Sequence, residues 1–378
     1  MELSSEDALC LNVLLAAKVQ AVRIDESSMT VLGLTARGEA SVSLHPTCRN
    51  DQYLRLVREM LAEHAMGSPG GYPLHLRRWT RMGQLGDDNL ARLLLTGEPE
   101  AVVAVVHAPG LTDELAARAW WAMPTAENAR RMLERESVAR GRMGQVLAAH
   151  LIEYLPFEED HYAIVETVRL LLHAGLADEQ ARLGLWNKGK HKKAYYVGFL
   201  ELTPDALPLQ LPPRRDWASL CAILDPLVES GNPYAVQLRR LLSGPGQSFL
   251  QGCAEVLQQP PTQEVVNALL NAVGSYVGPL LPRARSAAEI GDVVREAEQL
   301  CAGGAVDQPP ALRELLTAVP RLQPEICAML VLSGTNQALA EPVFSRSTAV
   351  GSLMRKKLDP VVGPLLRQFA VLRGAVSG

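Results

Sequence analysis

The chain has 378 residues, 48% of them hydrophobic and only 5% aromatic, with 37 basic and 41 acidic residues giving a net charge of -4. That length accommodates two ordinary domains or one extended array with a sizeable core, and the near-balanced charge excludes a global drive toward nucleic acid or anionic membrane. With so few aromatics the core is built from Leu, Val and Ala, which favours helix over sheet. The opening MELSSEDALCLNVLL has acids ahead of a short apolar run and no basic stretch, unlike a secretory or transit signal. The longest apolar runs, such as 101–106, fall far below a membrane span. Cys10, Cys48, Cys221, Cys253, Cys301 and Cys327 form no CxxC pair and read as reduced core residues, so a cytoplasmic protein without a membrane partner is expected.

Ser4 or Ser5, followed by Glu6 and Asp7, opens a first helix over residues 8–17. From Ala21 the pattern changes to three short strands, AVRI, MTVLGL and EASVSL, separated by turn residues. In the third, Ala40, Val42 and Leu44 alternate with Glu39, Ser41 and Ser43, and Gly38 supplies the hairpin turn. A three-stranded antiparallel meander results, too small to be stable without helices packed on it. Residues 50–66 place Tyr53, Leu54, Val57, Met60 and Leu61 on one helical face, which predicts a helix covering the meander.

After the GSPGGYP break, residues 93–133 read as back-to-back helices: one over 98–107 ended by Pro109-Gly110, a second opened by Thr112 and stopped by Pro124, a third opened by Thr125. Short connections predict antiparallel neighbours. The fold class is therefore mainly α, with HEAT-like helical repeats or an α-α superhelix and a small N-terminal antiparallel β meander. Near residue 185 the texture turns basic, aromatic and then proline-rich, and Pro208, Pro212 and Pro213 discourage regular structure. Four segments are predicted: helix, meander and covering helix over 1–66, a helical repeat domain over 67–185, a linker over 186–215, and an all-helical domain over 216–378. In the last, Ser286 and Glu289 form a capping box, and Pro360 and Pro364 interrupt the tail.

No catalytic or cofactor motif stands out. The eight histidines form no HExxH or HxxxH pair, GxSxG is absent, and Gly67 to Gly71 lack the Lys-Ser/Thr and the preceding strand of a phosphate loop. No metal or cofactor is therefore expected. Two basic clusters are candidate binding segments. Arg77, Arg78, Trp79 and Arg81 set guanidinium groups around an indole, suited to carboxylate, phosphate or a planar group. Lys188, Lys190, His191, Lys192 and Lys193, followed by Tyr195 and Tyr196, would suit RNA or an acidic partner, or else keep an interdomain linker solvated. Trp120 and Trp121, about 100° apart on a helix, cannot both be buried on one face. Cys48, beside Arg49, is the one cysteine in a basic setting and thus the candidate reactive thiol.

The segments GSPGGYPLHLRRWTRMGQL and LLLTGEPEAVVAVVHAPGLTDELAARAWWAMPTAENARRMLER, with MELSSEDALCLNVLL and RIDESSMTVLGL, resemble the DsrS-type sulfur reduction proteins encoded beside the reverse dissimilatory sulfite reductase genes of sulfur-oxidising bacteria. The resemblance covers roughly the first 160 residues and carries no functional residue with it. It implies a cytoplasmic protein of sulfur oxidation, without defined molecular activity. The expectation is a non-enzymatic scaffold or regulator that binds a protein partner of the sulfite reductase system on the concave face of its helix pairs. The alternatives are an RNA-binding post-transcriptional regulator and a cysteine-based sulfur carrier.

Overall fold

The computed structural model describes residues 2–67, 87–281, 289–303, 308–345 and 351–374. It is mainly helical with one three-stranded antiparallel sheet, in strand order β1-β2-β3. The chain divides into two compact units, Met1–Pro156 and Phe157–Gly378. This division precedes the change of texture near residue 185, because the basic and aromatic residues that follow belong to helices inside the second unit.

In the first unit, α1 (Ser5–Ala16) starts at Ser4, whose hydroxyl accepts the Asp7 amide at 3.1 Å. Strands β1 (Ala21–Asp25), β2 (Thr30–Thr35) and β3 (Gly38–Ser43) pair in register Ala21↔Leu34 and Val31↔Val42. A Cβ on Gly33 would lie 2.9 Å from Leu14 Cδ1, so glycine here admits the leucine face of α1 against the sheet. Helix α2 (Asn50–Met66) covers the meander as its periodicity predicts: Tyr53, Leu54, Val57 and Leu61 join Leu11, Leu14, Leu15, Val22 and Val31 in one apolar cluster. Gly67, at φ 66°, ends α2 with a left-handed cap.

The helices α3 (Asp87–Leu93), α4 (Pro99–His107), α5 (Asp113–Ala122), α6 (Ala126–Leu133), α7 (Glu136–Ala139) and α8 (Arg142–Tyr154) follow. Thr112 and Thr125 cap α5 and α6 by accepting the amides of Leu115 and Asn128, as the Pro and Thr punctuation predicts. The Asp113 carboxylate accepts the amides of Arg142 (3.1 Å) and Met143 (2.9 Å), so the first turn of α5 caps the start of α8.

The second unit begins with α9 (His161–His173), α10 (Glu179–Lys188) and α11 (Ala194–Leu202). Residues 194–200 of α11 are all buried, although the sequence predicts a linker over 186–215. A helix apolar around its whole circumference shows no amphipathic period, and its place is the middle of a core. Gly198 lets it close onto α9, since a Cβ there would meet Val168 Cγ1 at 2.6 Å. The chain continues through α12 (Trp217–Glu229), α13 (Pro233–Leu242), α14 (Gly244–Gln258), α15 (Gln263–Val277), α16 (Ile290–Cys301), α17 (Pro310–Ala318), α18 (Gln323–Ser333), α19 (Glu341–Phe344) and α20 (Gly351–Leu372), of which α14 and α15 pack on α11. Of the proposed capping box, Ser286 lies outside the described residues, and Glu289 is the residue from which α16 starts, making no side-chain cap bond.

Pro360 and Pro364 sit inside α20 and do not break it. The buried stripe of Met354, Leu358, Val361, Val362, Leu365, Phe369 and Leu372 holds the helix together across the two missing amide donors. Among the described residues no single helix is long and apolar enough to cross a membrane. The bent pair Pro310–Ala318 and Pro320–Ser333 passes that test only jointly, at 108°, and Ile326 and Met329 to Leu332 are buried in the unit.

Candidate functional site

The two tryptophans of α5 point to different neighbours. Trp121 is tied to the meander: its indole N–H donates to Glu39 Oε2 at 3.0 Å, its carbonyl accepts from Arg23 Nη1 at 3.3 Å, and the Arg23 guanidinium lies 5.0 Å from its ring centroid. Trp120 faces α8. Its ring meets His150 edge-on at 4.8 Å between centroids, and His150 is in turn nearly parallel to Tyr154 at 6.1 Å. Trp121 is thus a structural bracket, whereas Trp120 heads an aromatic row at the surface.

The position of this row follows from the packing of α5 and α8. Leu115, Ala116, Ala119 and Ala122 form the buried face of α5; Met143, Gly144, Leu147, Ala148 and Leu151 form that of α8. The inner residues of α8 already satisfy one amphipathic face. Val146, His150 and Tyr154 lie four residues apart on another face, with Val146 48% and Tyr154 41% exposed. Ala149 lies exposed beside them. An apolar and aromatic stripe left on the outside of a packed helix is the pattern on which a partner helix or extended segment docks.

The other residues singled out by sequence are placed differently. Arg77, Arg78, Trp79 and Arg81 lie outside the described residues. The cluster near residue 190 is not a linker with an aromatic platform: Tyr195 and Tyr196 are 1% and 4% exposed within α11. Burial pushes both phenols above their ordinary pKa, with the charge of Glu255 adding to the effect at Tyr196. Tyr196 stacks at 4.4 Å on Trp186, which meets Phe199 edge-on at 5.4 Å. Lys192 Nζ donates to the Glu158 carbonyl at 2.7 Å, and Lys193 pairs with Glu255 at 3.6 Å while lying over the Tyr196 ring. Lys190 and His191 are exposed and Lys188 is half-buried. The structure therefore separates this charged run into core anchors and a short exposed turn.

Cys48 is half-buried and packs at the edge of the apolar cluster under the meander. All six cysteines are free; Cys253 and Cys301 are buried, but Cys10 is exposed, contrary to a uniform core role. Among the described residues no group of three or more His, Cys, Asp or Glu side chains could hold a metal ion.

Three polar networks have no signal in the sequence because each joins residues that lie far apart in the chain. Buried Asp7 accepts from the Tyr53 hydroxyl and from the His45 amide at 2.9 Å. Asp205 pairs with Arg240 at 2.5 Å and accepts from the Tyr276 hydroxyl at 2.7 Å, and the Arg240 guanidinium lies 3.9 Å from the Tyr276 ring centroid. Arg214, only 8% exposed at its side chain, grips Asp216 with two donors and reaches Glu325 at 2.7 Å. Each network joins separate elements within one unit, which makes it a structural clamp.

Comparison with known protein families, characterised proteins and solved structures finds no match to this chain.

Proposed function

We propose that this chain is a non-catalytic scaffold or regulatory protein of bacterial sulfur oxidation that binds a protein partner of the dissimilatory sulfite reductase system through the outer face of α8. The observation that carries the binding role is the stripe of exposed Val146, Ala149 and Tyr154 with half-buried His150 among them and half-buried Trp120 at its edge. Half-exposed aromatic rings present large contact area at small conformational cost, which is why such rings anchor interfaces. The sulfur-oxidation setting rests on the resemblance over the first 160 residues. The concave-face expectation is replaced in this proposal by a single helix face. The RNA-binding alternative retains Lys190 and His191 as its exposed basic residues, with Lys188 half-buried beside them, and the sulfur-carrier alternative rests on Cys48 alone; no specific observation favours either.

Affinity capture from a sulfur-oxidising host with the full-length chain as bait tests this reading. Sulfite reductase components should be recovered by the natural sequence and lost with the double variant Trp120→Ala/Tyr154→Ala, whose circular dichroism stays unchanged. Equal recovery by bait and variant, or recovery of RNA and ribosomal material alone, overturns it.

A further inference from the structure

The C-terminal end of α16, the outer face of α17 and the first residue of α18 border a cleft of about 350 Å³. A helix ends in carbonyls that its own amides cannot satisfy, and here two side-chain amides take them up. Gln308 Nε2 donates to the Leu300 carbonyl at 2.6 Å, and Gln323 Nε2 donates to the Cys301 carbonyl at 3.0 Å. The negative end of α16 is thereby covered where it meets the cleft.

The first of these caps also aims a charge. Gln308 is only 7% exposed, and with Nε2 committed to Leu300 its Oε1 accepts from Arg313 Nε at 3.3 Å. The guanidinium is held by that one nitrogen, which leaves its Nη1 and Nη2 edge unoccupied. Among the described residues no carboxylate pairs with Arg313, and it is the one charged side chain lining the cleft. Arg313 is the fourth residue of α17, and a base so near the start of a helix gains nothing from a dipole that favours acids there. Thr317, one turn further on, spends its hydroxyl on the Arg313 carbonyl at 2.8 Å. Leu316 and Pro320 give the same cleft an apolar wall.

We propose that this cleft binds a small organic monocarboxylate with a short apolar chain, Arg313 taking the two carboxylate oxygens through Nη1 and Nη2, and Leu316 and Pro320 receiving the chain. A planar carboxylate matches the free guanidinium edge in shape. It matches in charge as well, one negative against one positive, whereas a phosphate dianion would carry a second charge that no cation lining the cleft compensates. The volume lies at the low end of ligand pockets and suits an acid of a few carbons rather than a nucleotide. The cleft belongs to the second unit, so the inference is independent of the docking face on α8 in the first.

The test titrates the full-length chain with acetate, butyrate, butyramide and inorganic phosphate and reads binding by ligand-observed NMR. Butyrate should bind saturably and about tenfold more tightly than acetate, near the limit of about fourfold for each buried methylene. Butyramide, which keeps the chain and loses the charge, and phosphate should each bind at least about tenfold more weakly than butyrate. Arg313→Gln, at an exposed position whose replacement spares the core, should weaken butyrate by at least about tenfold, and Arg313→Lys should recover only part of that loss because it lacks the planar fork. Equal affinity of Arg313→Gln and the natural chain for butyrate, phosphate binding as tight as that of butyrate, or no saturable binding of butyrate overturns the proposal.

Discussion

The two units are written in the same helical grammar but use their aromatic residues in opposite ways. In the second unit most of them fill the interior, Phe157 being the exposed exception: Tyr195, Phe199, Phe249 and Phe369 are almost wholly buried, and Phe249 stacks on Tyr276 at 3.9 Å. Among the described residues of the first unit Tyr53 is the buried ring, while Trp120, Trp121 and Tyr154 lie at or near the surface. The inner face of α5 is occupied by Leu115, Ala116, Ala119 and Ala122, and its two tryptophans lie outside that buried set. An aromatic that a unit does not need for its own core remains free to contact something else.

That contrast can be broken in graded steps. Phe249→Ala should be the costliest change, about 3–5 kcal/mol, because it opens a cavity in a fully packed interior; urea unfolding reads it directly. A loss below about 1 kcal/mol would mean that the aromatic core of the second unit is not what supports it. Asp7→Ala should cost about 2–4 kcal/mol by stranding the Tyr53 hydroxyl and the His45 amide, and Asp7→Asn less, as it keeps one acceptor. Trp120→Ala should change stability by less than about 1 kcal/mol, its role being outside the fold, and an unfolding midpoint that drops as far as that of Phe249→Ala would return Trp120 to the core.

A smaller effect is expected from pH. Burial opposes ionisation of Asp205, but the hydrogen bonds from Arg240 and Tyr276 outweigh it, and the carboxyl titrates below its ordinary range. Its contribution to stability is therefore complete above the unfolded value of about 3.9 and is lost as pH falls through the lower folded value. Asp205→Asn should be less stable than the natural chain at pH 6, and the gap should close on acidification below about pH 4. A gap independent of pH would remove Asp205 ionisation as its cause.

Much of the first unit is legible along the chain. Thr112, Pro124 and Thr125 mark helix ends by local hydrogen bonding and by missing donors, and the alternation around Ala40 and Val42 marks the third strand; both signals act within a few residues. The meaning of the segment near residue 190 is not legible in this way. A run of lysines beside two tyrosines describes a solvated loop as well as a buried helix, and what separates them is the presence of α9, Trp186 and Glu255 to receive it. The same holds for α20, where two prolines predict a break that the buried stripe overrides.

By itself the sequence determined the mainly helical class, the meander, the covering helix α2 and the caps of α5 and α6, because backbone propensity, period and capping are local properties. Only the tertiary structure decided which of the adjacent tryptophans braces the sheet and which heads a surface row, where the chain divides, and that Asp205 meets Arg240 and Tyr276. These depend on which faces are brought together from distant parts of the chain, and a side chain's neighbours across such distances are set by packing and loop closure rather than by spacing.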